Sequence, residues 1–198
     1  MDKPRTLLEM AGAKLTPPPP AELTMVLIDM QMEYVDGKLP LPGAKPAIAA
    51  AARLLERLRQ LGRPIVHIRH KGRAGTLFDP DGPGFAIAPA LAPAAGETVL
   101  SKGLPNSFAG TELDATLKRL GAKQVLYAGF MTHMCISSTV RAALDLGYAS
   151  VVASDACATR DLPDGQGGAM AADLLHRAEL ASLADRFAIV APTAAILG

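Results

Sequence analysis

The stretch that decides the fold is residues 123–147, KQVLYAGFMTHMCISSTVRAALDLG. It opens with a short apolar run, residues 124–128, which is long enough for one buried strand and ends at Gly129. From Cys135 onward, apolar residues recur with helical spacing until Gly147, a typical residue after a last helical turn. The stretch therefore predicts a strand, a compact turn and a helix, with Cys135 where the helix begins.

Cys135 has two interpretations at this position. As a cysteine alone, it is a small buried apolar residue. At a helix N-terminus, however, unpaired N–H groups favour negative charge, so they lower the pKa of a thiol and increase the fraction of nucleophilic thiolate. The placement between a strand and a helix favours the nucleophile.

Short apolar strands alternate with helical segments through the rest of the chain. Strands are predicted at residues 23–28, 65–68, 97–100, 124–128, 150–153 and 187–190, and helices at residues 45–61, 111–120, 135–146 and 169–185. This alternation predicts an α/β protein in which helices cover both faces of a parallel sheet.

Composition bounds the class of protein. A chain of 198 residues fits one domain, with residues 1–20 as an N-terminal arm and residues 21–198 as the domain. A net charge of +1 argues against a nucleic-acid or membrane surface, and no apolar run approaches the ~20 residues needed to cross a bilayer. With two cysteines and no signal-peptide pattern, we expect a cytoplasmic, reducing location.

The sequence allows two roles for each of two irregular regions. The arm contains a stiff run of four prolines at residues 17–20, and it can cross onto a partner subunit or be loosely held. Residues 69–96 form an unusually long loop that carries Phe78 and Phe85. These two aromatic residues can line a pocket under a lid, or they can fix the loop to the body or to a second subunit.

Polar side chains follow three of the predicted strands. Asp29 comes after the first strand, Lys102 after the third and Cys135 just past the fourth. In an open parallel sheet, sites lie outside the carboxyl ends of the strands, so these residues can meet. A carboxylate that accepts the thiol proton, a cation beside the thiolate and a cysteine nucleophile together provide what thiol catalysis needs.

The chain resembles the cysteine-hydrolase branch of the isochorismatase-like superfamily across residues 23–190. The resemblance rests on VLYAGFMTHMCISSTVRAALDLGY, on VVASDACATRDLP, on VLID with Gln31 two residues after Asp29, and on VLSKG with Lys102. It implies a three-layer α/β/α, Rossmann-like fold with a six-stranded parallel sheet. It also implies a catalytic triad of Asp29, Lys102 and Cys135.

The resemblance further implies an activity and an oxyanion hole. The backbone N–H groups of Met131 and Cys135 would form the hole, beside a cis peptide between Phe130 and Met131. The implied enzyme is a hydrolase that cleaves a C–N bond of a small amide, carbamoyl or lactam molecule through a thioester. Relatives form homodimers or homotetramers, and we expect the same here.

No metal and no other cofactor is expected. Metal-dependent members of the family carry an Asp-x-His pair after the second strand, whereas this chain has His67 and His70 without such a pair. Because side chains alternate along a strand, His67 and His70 would face different ways, and each is better explained as a core or wall residue.

Further residues are candidates for the substrate pocket. Tyr34 and Phe130 can close its sides together with Phe78 and Phe85, and His133 can contact the substrate or face solvent. Cys157 is expected to be a buried small residue, and Asp155 a turn or cap residue.

Two alternative functions remain open from the sequence. One is an isochorismatase-type hydrolase of a vinyl ether, although true isochorismatases lack a cysteine at the position of Cys135. The other is a non-enzymatic binding or redox protein in which Cys135 is a reactive thiol.

Overall fold

A six-stranded parallel sheet forms the middle layer of the protein in a computed structural model that describes residues 3–198. The strands in chain order are β1 (Leu23–Ile28), β2 (Ile65–His70), β3 (Thr98–Lys102), β4 (Gln124–Phe130), β5 (Ala149–Ala158), β6 (Leu162–Pro163), β7 (Ala169–Met170) and β8 (Ile189–Ala191). The main sheet has the order β3-β2-β1-β4-β5-β8, while β6 and β7 form a small antiparallel ribbon. The order reverses between β1 and β4, and open α/β sheets bind ligands at such a switch point.

Helices cover both faces of this sheet. They are α1 (Leu7–Met10), α2 (Ala44–Gln60), α3 (Leu113–Arg119), α4 (Ser137–Asp145), α5 (Ala172–Arg186) and α6 (Thr193–Leu197). Buried residues of α2 and α6 belong to the apolar core on one face, and those of α3, α4 and α5 to the core on the other. The predicted three-layer α/β/α fold with a six-stranded parallel sheet is confirmed.

β1 illustrates how the sequence produces this layering. Leu23, Met25 and Leu27 lie in the core shared with α2, whereas Val26 and Ile28 lie in the core on the opposite face. Side chains alternate between the faces of a strand, so a continuous apolar run is buried on both. Each such side chain contributes roughly 1.5–3 kcal/mol when fully buried.

The strands next to the switch point are longer than predicted. β4 does not end at Gly129 but continues to Phe130. Gly129 has φ +143°, and a Cβ there would collide with the backbone of Ile28. Glycine therefore permits the close approach of β4 to β1, which a sequence pattern does not reveal.

β5 and the last helix also differ from the prediction. β5 continues to Ala158, five residues beyond the strand predicted at residues 150–153, because Cys157 and Ala158 pair with Gly129 and Phe130 after a shift in register. α6 was not predicted. Asp155 of β5 accepts hydrogen bonds from the backbone N–H and the hydroxyl of Thr193, both at 2.7 Å, and so caps the start of α6.

The described part of the N-terminal arm lies against its own chain. Residues 1 and 2 of the predicted arm fall outside the described residues. Thr6 and Glu9 form a capping box at α1, and the Leu7 N–H donates to the Asp185 carboxylate in α5 at 2.9 Å. The division between arm and domain at residue 20 stays a prediction.

The long loop after β2 folds back over the carboxyl end of β1. The Met32 N–H donates to the carbonyl of Ala86 at 2.8 Å, and the Ala88 N–H donates to the carbonyl of Met30 at 2.9 Å. The loop is thereby fixed beside the switch point. Within residues 3–198, no helix combines the length and apolar character needed to span a membrane.

Candidate active site

The three predicted catalytic residues meet at the carboxyl edge of the sheet. Asp29 directly follows β1 and has φ 53°, a left-handed conformation that aspartate tolerates better than most residues. Lys102 is the last residue of β3. Cys135 lies in a single π-helical turn, Thr132–Ile136, which joins β4 to α4.

Lys102 connects the other two side chains. Its Nζ lies 2.6 Å from Oδ2 of Asp29 and donates a hydrogen bond to Sγ of Cys135 at 3.2 Å. Asp29 is 0% exposed, Lys102 2% and Cys135 4%. The structure therefore brings together a carboxylate, an ammonium and a thiol that are all almost completely buried.

Burial dominates the electrostatics of this group. Desolvation raises the pKa of Asp29, and the positive charge and hydrogen bond of Lys102 oppose that rise. Desolvation also raises the pKa of Cys135, to about 12, with the Asp29 carboxylate adding to the rise and Lys102 opposing it. The predicted lowering of the Cys135 pKa is therefore wrong, because burial and the adjacent carboxylate outweigh any effect of the helix N-terminus.

The turn before Cys135 has unusual backbone geometry. The peptide bond between Phe130 and Met131 is cis. The carbonyl of Met131 accepts hydrogen bonds from the N–H groups of Met134 at 3.0 Å and Ile136 at 3.2 Å. The Met131 N–H itself has no backbone or side-chain acceptor among residues 3–198, so it is free to bind an oxygen atom of a ligand.

Three predicted pocket residues form one aromatic cluster. The ring of Tyr34 lies edge-on to Phe78 and to Phe130, with centroids 5.0 Å and 5.6 Å apart. Burial is the largest cause that raises the pKa of Tyr34, and the Asp29 carboxylate adds to the rise. The ring of His70, which contacts Lys102, lies edge-on to Phe78 with centroids 5.1 Å apart, so the cluster reaches the group of candidate catalytic residues.

The remaining two pocket candidates make different contacts. Phe85 is half-buried, and the guanidinium of Arg69 lies 4.4 Å from the centroid of its ring. His133 is also half-buried, and its Nδ1 is hydrogen-bonded to the hydroxyl of Thr159. Its Nε2 is buried without a partner among the described residues, so His133 is not a solvent-facing side chain.

A group of potential metal ligands surrounds Lys102. Asp29, His70 and Cys135 each offer one ligand atom, and these atoms lie within 4.8 Å of one another. Nζ of Lys102 contacts all three, at 2.6 Å, 3.3 Å and 3.2 Å respectively. The ammonium thus occupies the position that a bound cation would take, and the expectation of no metal stays a prediction.

His67 and Cys157 lie apart from this group. His67 is 1% exposed, and its Nε2 lies 2.8 Å from the Glu97 carboxylate. Cys157 is 5% exposed and pairs with Gly129 in the ladder between β4 and β5. Both fit the core roles predicted for them.

An open cavity lies close to the turn but not at the thiol. It has a volume of ≈ 380 Å³ and is lined in part by Asp155, Thr159 and His176. None of the three candidate catalytic side chains lines it. His176 also holds the turn, since its Nδ1 is hydrogen-bonded to the hydroxyl of Thr132 at 2.8 Å.

Sequence reasoning missed the contact of His70 with Lys102 and the role of Gln31. Gln31 is 0% exposed and binds both backbone groups of His70 through its side-chain amide. The alternation of side chains along β2 correctly predicted that His67 and His70 face different ways. The pattern could not show that β2 continues two residues beyond its predicted end. These two residues place His70 at the edge of the sheet where Lys102 lies.

Known proteins resemble this chain in sequence and in fold. The model of the isochorismatase domain family matches residues 24–195. The uncharacterized isochorismatase family protein YddQ of Bacillus subtilis is 37% identical over 176 residues, which cover 87% of this chain and 97% of that protein. A ureidoacrylate amidohydrolase of Stutzerimonas stutzeri is 27% identical over 172 residues, with 69% of each chain covered. The crystal structure of an isochorismatase from Pseudomonas putida has a TM-score of 0.94 and 43% identity, and it covers 98% of this chain and 100% of that one.

Proposed function

The chain belongs to the isochorismatase family of hydrolases, and from that premise we propose that it cleaves a C–N bond of a small molecule through a thioester on Cys135. The substrate class is an amide, a carbamoyl compound or a lactam. The observation that carries the proposal is the position of Lys102, whose Nζ reaches both the Asp29 carboxylate and the Cys135 thiol.

The first step is acylation of the thiol. Asp29 accepts the proton of Cys135 as the sulfur attacks the substrate carbonyl carbon, because the thiol with a pKa of about 12 does not ionise alone at neutral pH. The raised pKa of Asp29 makes its carboxylate a stronger base than an exposed aspartate. When the C–N bond breaks, Asp29 returns this proton to the nitrogen, and the amine or ammonia leaves.

The tetrahedral intermediate carries a negative oxygen. The N–H groups of Met131 and Cys135 are the proposed donors to this oxygen, and the free N–H of Met131 supports that role. One donor of this kind typically contributes roughly 10²–10³-fold in rate. The ammonium of Lys102 adds a positive charge that stabilises the thiolate as it forms and leaves.

The second step is hydrolysis of the thioester. Asp29 takes a proton from water, and the resulting hydroxide attacks the thioester carbonyl. The C–S bond then breaks, the acid product leaves, and the proton held by Asp29 restores the thiol of Cys135. No net proton or electron is gained by the protein, so no further cofactor is required for this cycle.

The aromatic cluster of Tyr34, Phe78 and Phe130 favours a substrate with an apolar or planar part, and Phe78 connects this cluster to the site through the ring of His70. Because Cys135 is only 4% exposed, side chains around it must move for a substrate to enter. The relative named as an amidohydrolase of ureidoacrylate supports a C–N bond as the target.

A panel of small amides, ureides, N-carbamoyl compounds and lactams tests the proposal. We expect release of ammonia or amine from at least one compound by the wild type, and loss of that release in Cys135→Ala and in Asp29→Asn. Release of pyruvate from isochorismate would instead indicate a vinyl-ether hydrolase. Reversible oxidation of Cys135 without turnover of the panel would indicate a redox protein.

A further inference from the structure

We propose that His70 is a positioning residue that fixes the ammonium of Lys102 between Asp29 and Cys135. The proposal rests on the proposed function only for its effect on turnover. Its effect on the reactivity of the Cys135 thiol can be measured in the free protein. Nothing in the triad itself requires a histidine, so the role of His70 is separate from that of the three reacting groups.

The contact between His70 and Lys102 has a defined direction. Nδ1 of His70 lies 3.3 Å from Nζ of Lys102. A lysine ammonium has three donors and no acceptor, so Nδ1 must accept this hydrogen bond. The neutral imidazole then carries its own proton on Nε2.

Nζ of Lys102 thereby has three partners, one in an ion pair and two in hydrogen bonds. They are Oδ2 of Asp29 at 2.6 Å, Sγ of Cys135 at 3.2 Å and Nδ1 of His70 at 3.3 Å. An ammonium that is nearly buried loses its hydration shell, so each N–H needs a protein partner. Without the third acceptor, one N–H of the buried ammonium would lack a partner. Rotation of the Lys102 side chain away from the thiol would then be favoured.

Gln31 holds the backbone of His70 in place. Its Oε1 accepts from the His70 N–H at 2.8 Å, and its Nε2 donates to the His70 carbonyl at 3.1 Å and to the Phe85 carbonyl at 3.0 Å. The buried side chain of Gln31, in the segment after β1, thus hydrogen-bonds to the backbone of the last residue of β2. This arrangement ties His70 to the segment that carries Asp29.

Phe78 restrains the ring of His70. The two rings meet edge-on with centroids 5.1 Å apart. Burial and the charge of Lys102 lower the pKa of His70 to about 4, so the ring is neutral at physiological pH and can accept at Nδ1. The hydrogen bonds of Gln31 to the His70 backbone, the contact of the ring with Phe78 and the neutral state of the imidazole therefore all favour one orientation of the ring.

The test compares His70→Leu, which removes the acceptor, with His70→Asn, whose amide oxygen occupies nearly the same place as Nδ1. Alkylation of Cys135 by iodoacetamide is followed at fixed pH by peptide mass mapping, and Cys157 in the same molecule is the internal control. In His70→Leu we expect Cys135 to react about tenfold more slowly, with Cys157 unchanged. In His70→Asn we expect a Cys135 rate within about threefold of the wild type.

Turnover gives a second readout on any compound that the wild type hydrolyses. We expect His70→Leu to lower kcat about 10- to 100-fold with KM within about threefold, because the hydrogen bond is to a charged group that acts in the chemical step. His70→Asn should recover most of kcat. If the wild type hydrolyses nothing in the panel, the proposed function fails while the alkylation result still decides the role of His70.

Two results would overturn the proposal. One is a Cys135 alkylation rate in His70→Leu equal to that of the wild type, which would make His70 a wall residue. The other is an equal loss in His70→Leu and His70→Asn, which would indicate a steric role. If His70→Leu melts early, as a faster reaction of Cys157 would reveal, His70→Ala replaces it and the same two results apply.

Discussion

Two buried cysteines at neighbouring strands of this protein both have a raised pKa, but their neighbours differ. Cys135, after β4, is 4% exposed, and Cys157, in β5, is 5% exposed. Desolvation is the largest cause that raises the pKa of each thiol, in both cases to about 12. Neither burial nor pKa in the resting protein therefore distinguishes a nucleophile from a core residue.

The neighbours make the distinction. Lys102 donates to Sγ of Cys135 at 3.2 Å and is itself paired with Asp29. The backbone of Gly129 lowers the pKa of the Cys157 thiol and the Asp155 carboxylate raises it, but neither effect outweighs the burial of the thiol. Cys135 therefore lies beside the carboxylate and the ammonium that the proposed acylation needs, whereas Cys157 lies in the ladder between β4 and β5.

Replacement of each cysteine by alanine gives the largest expected difference. Cys135→Ala should lower kcat/KM by about 10⁴-fold or more, because it removes the atom that forms the thioester. Cys157→Ala should leave kcat/KM within about threefold, at a cost of about 1 kcal/mol in the free energy of unfolding. Steady-state release of ammonia or amine and urea unfolding measure the two effects. Equal losses of activity in both variants would erase the distinction.

Removal of the Lys102 ammonium should change the reactivity of Cys135 and leave that of Cys157 unchanged. Lys102→Met keeps the length of the side chain but leaves the buried Asp29 carboxylate without its partner, so we expect a loss of about 3–5 kcal/mol in the free energy of unfolding. We also expect kcat/KM to fall by about 10²-fold or more, and the alkylation of Cys135 to slow while that of Cys157 does not change. Calorimetry and peptide mass mapping provide the measurements.

Lys118→Met is the matched control for that variant. Lys118 also pairs with an aspartate, Asp114, at 2.7 Å, but the side chain of Lys118 is 66% exposed and that of Asp114 is 32% exposed. Exposed pairs contribute about 0–1 kcal/mol, so stability and the reactivity of both cysteines should stay close to the wild type. A Lys102→Met protein as stable and as reactive as Lys118→Met would contradict the role of the buried ion pair.

The dependence of activity on pH gives a smaller effect. In the proposed mechanism Asp29 accepts the thiol proton only as a carboxylate, so we expect activity to be lost as the pH falls through the pKa of Asp29. Because burial raises that pKa above the ordinary value of 3.8, the acid limb of kcat/KM should have its midpoint above 3.8. Asp155→Asn changes the carboxylate that affects Cys157 and should leave this midpoint in place. A midpoint at or below 3.8 would contradict the role of Asp29 as the base.

Much of the fold could be predicted because it depends on local patterns. The apolar run of β1 and the helical spacing in α2 were close to the observed bounds, since core burial repeats with the period of each element. The ends of β4 and β5 could not be predicted. They depend on how Gly129 lets β4 approach Ile28 and on a shift of register, which are features of packing between strands.

The candidate site likewise has features that the sequence predicts and features that depend on packing. The proximity of Asp29, Lys102 and Cys135 could be predicted from topology, because each lies at or just past the end of a parallel strand and such strands end at one edge of the sheet. The pKa of Cys135 could not be inferred, since it depends on the depth of burial and on the distance to Asp29. His70 was missed because its contact with Lys102 depends on the true end of β2. The assembly as a homodimer or homotetramer and the cytoplasmic location stay predictions.

Titration of the protein with limiting iodoacetamide tests the central claim most directly. The modified fraction of each cysteine is measured by peptide mass mapping, and the remaining turnover is measured in the same samples on a compound from the panel. If Cys135 is the nucleophile, activity falls in linear proportion to the carboxamidomethylated fraction of Cys135 and does not depend on Cys157. Full activity in molecules whose Cys135 is modified, or a loss that follows Cys157, would contradict the account.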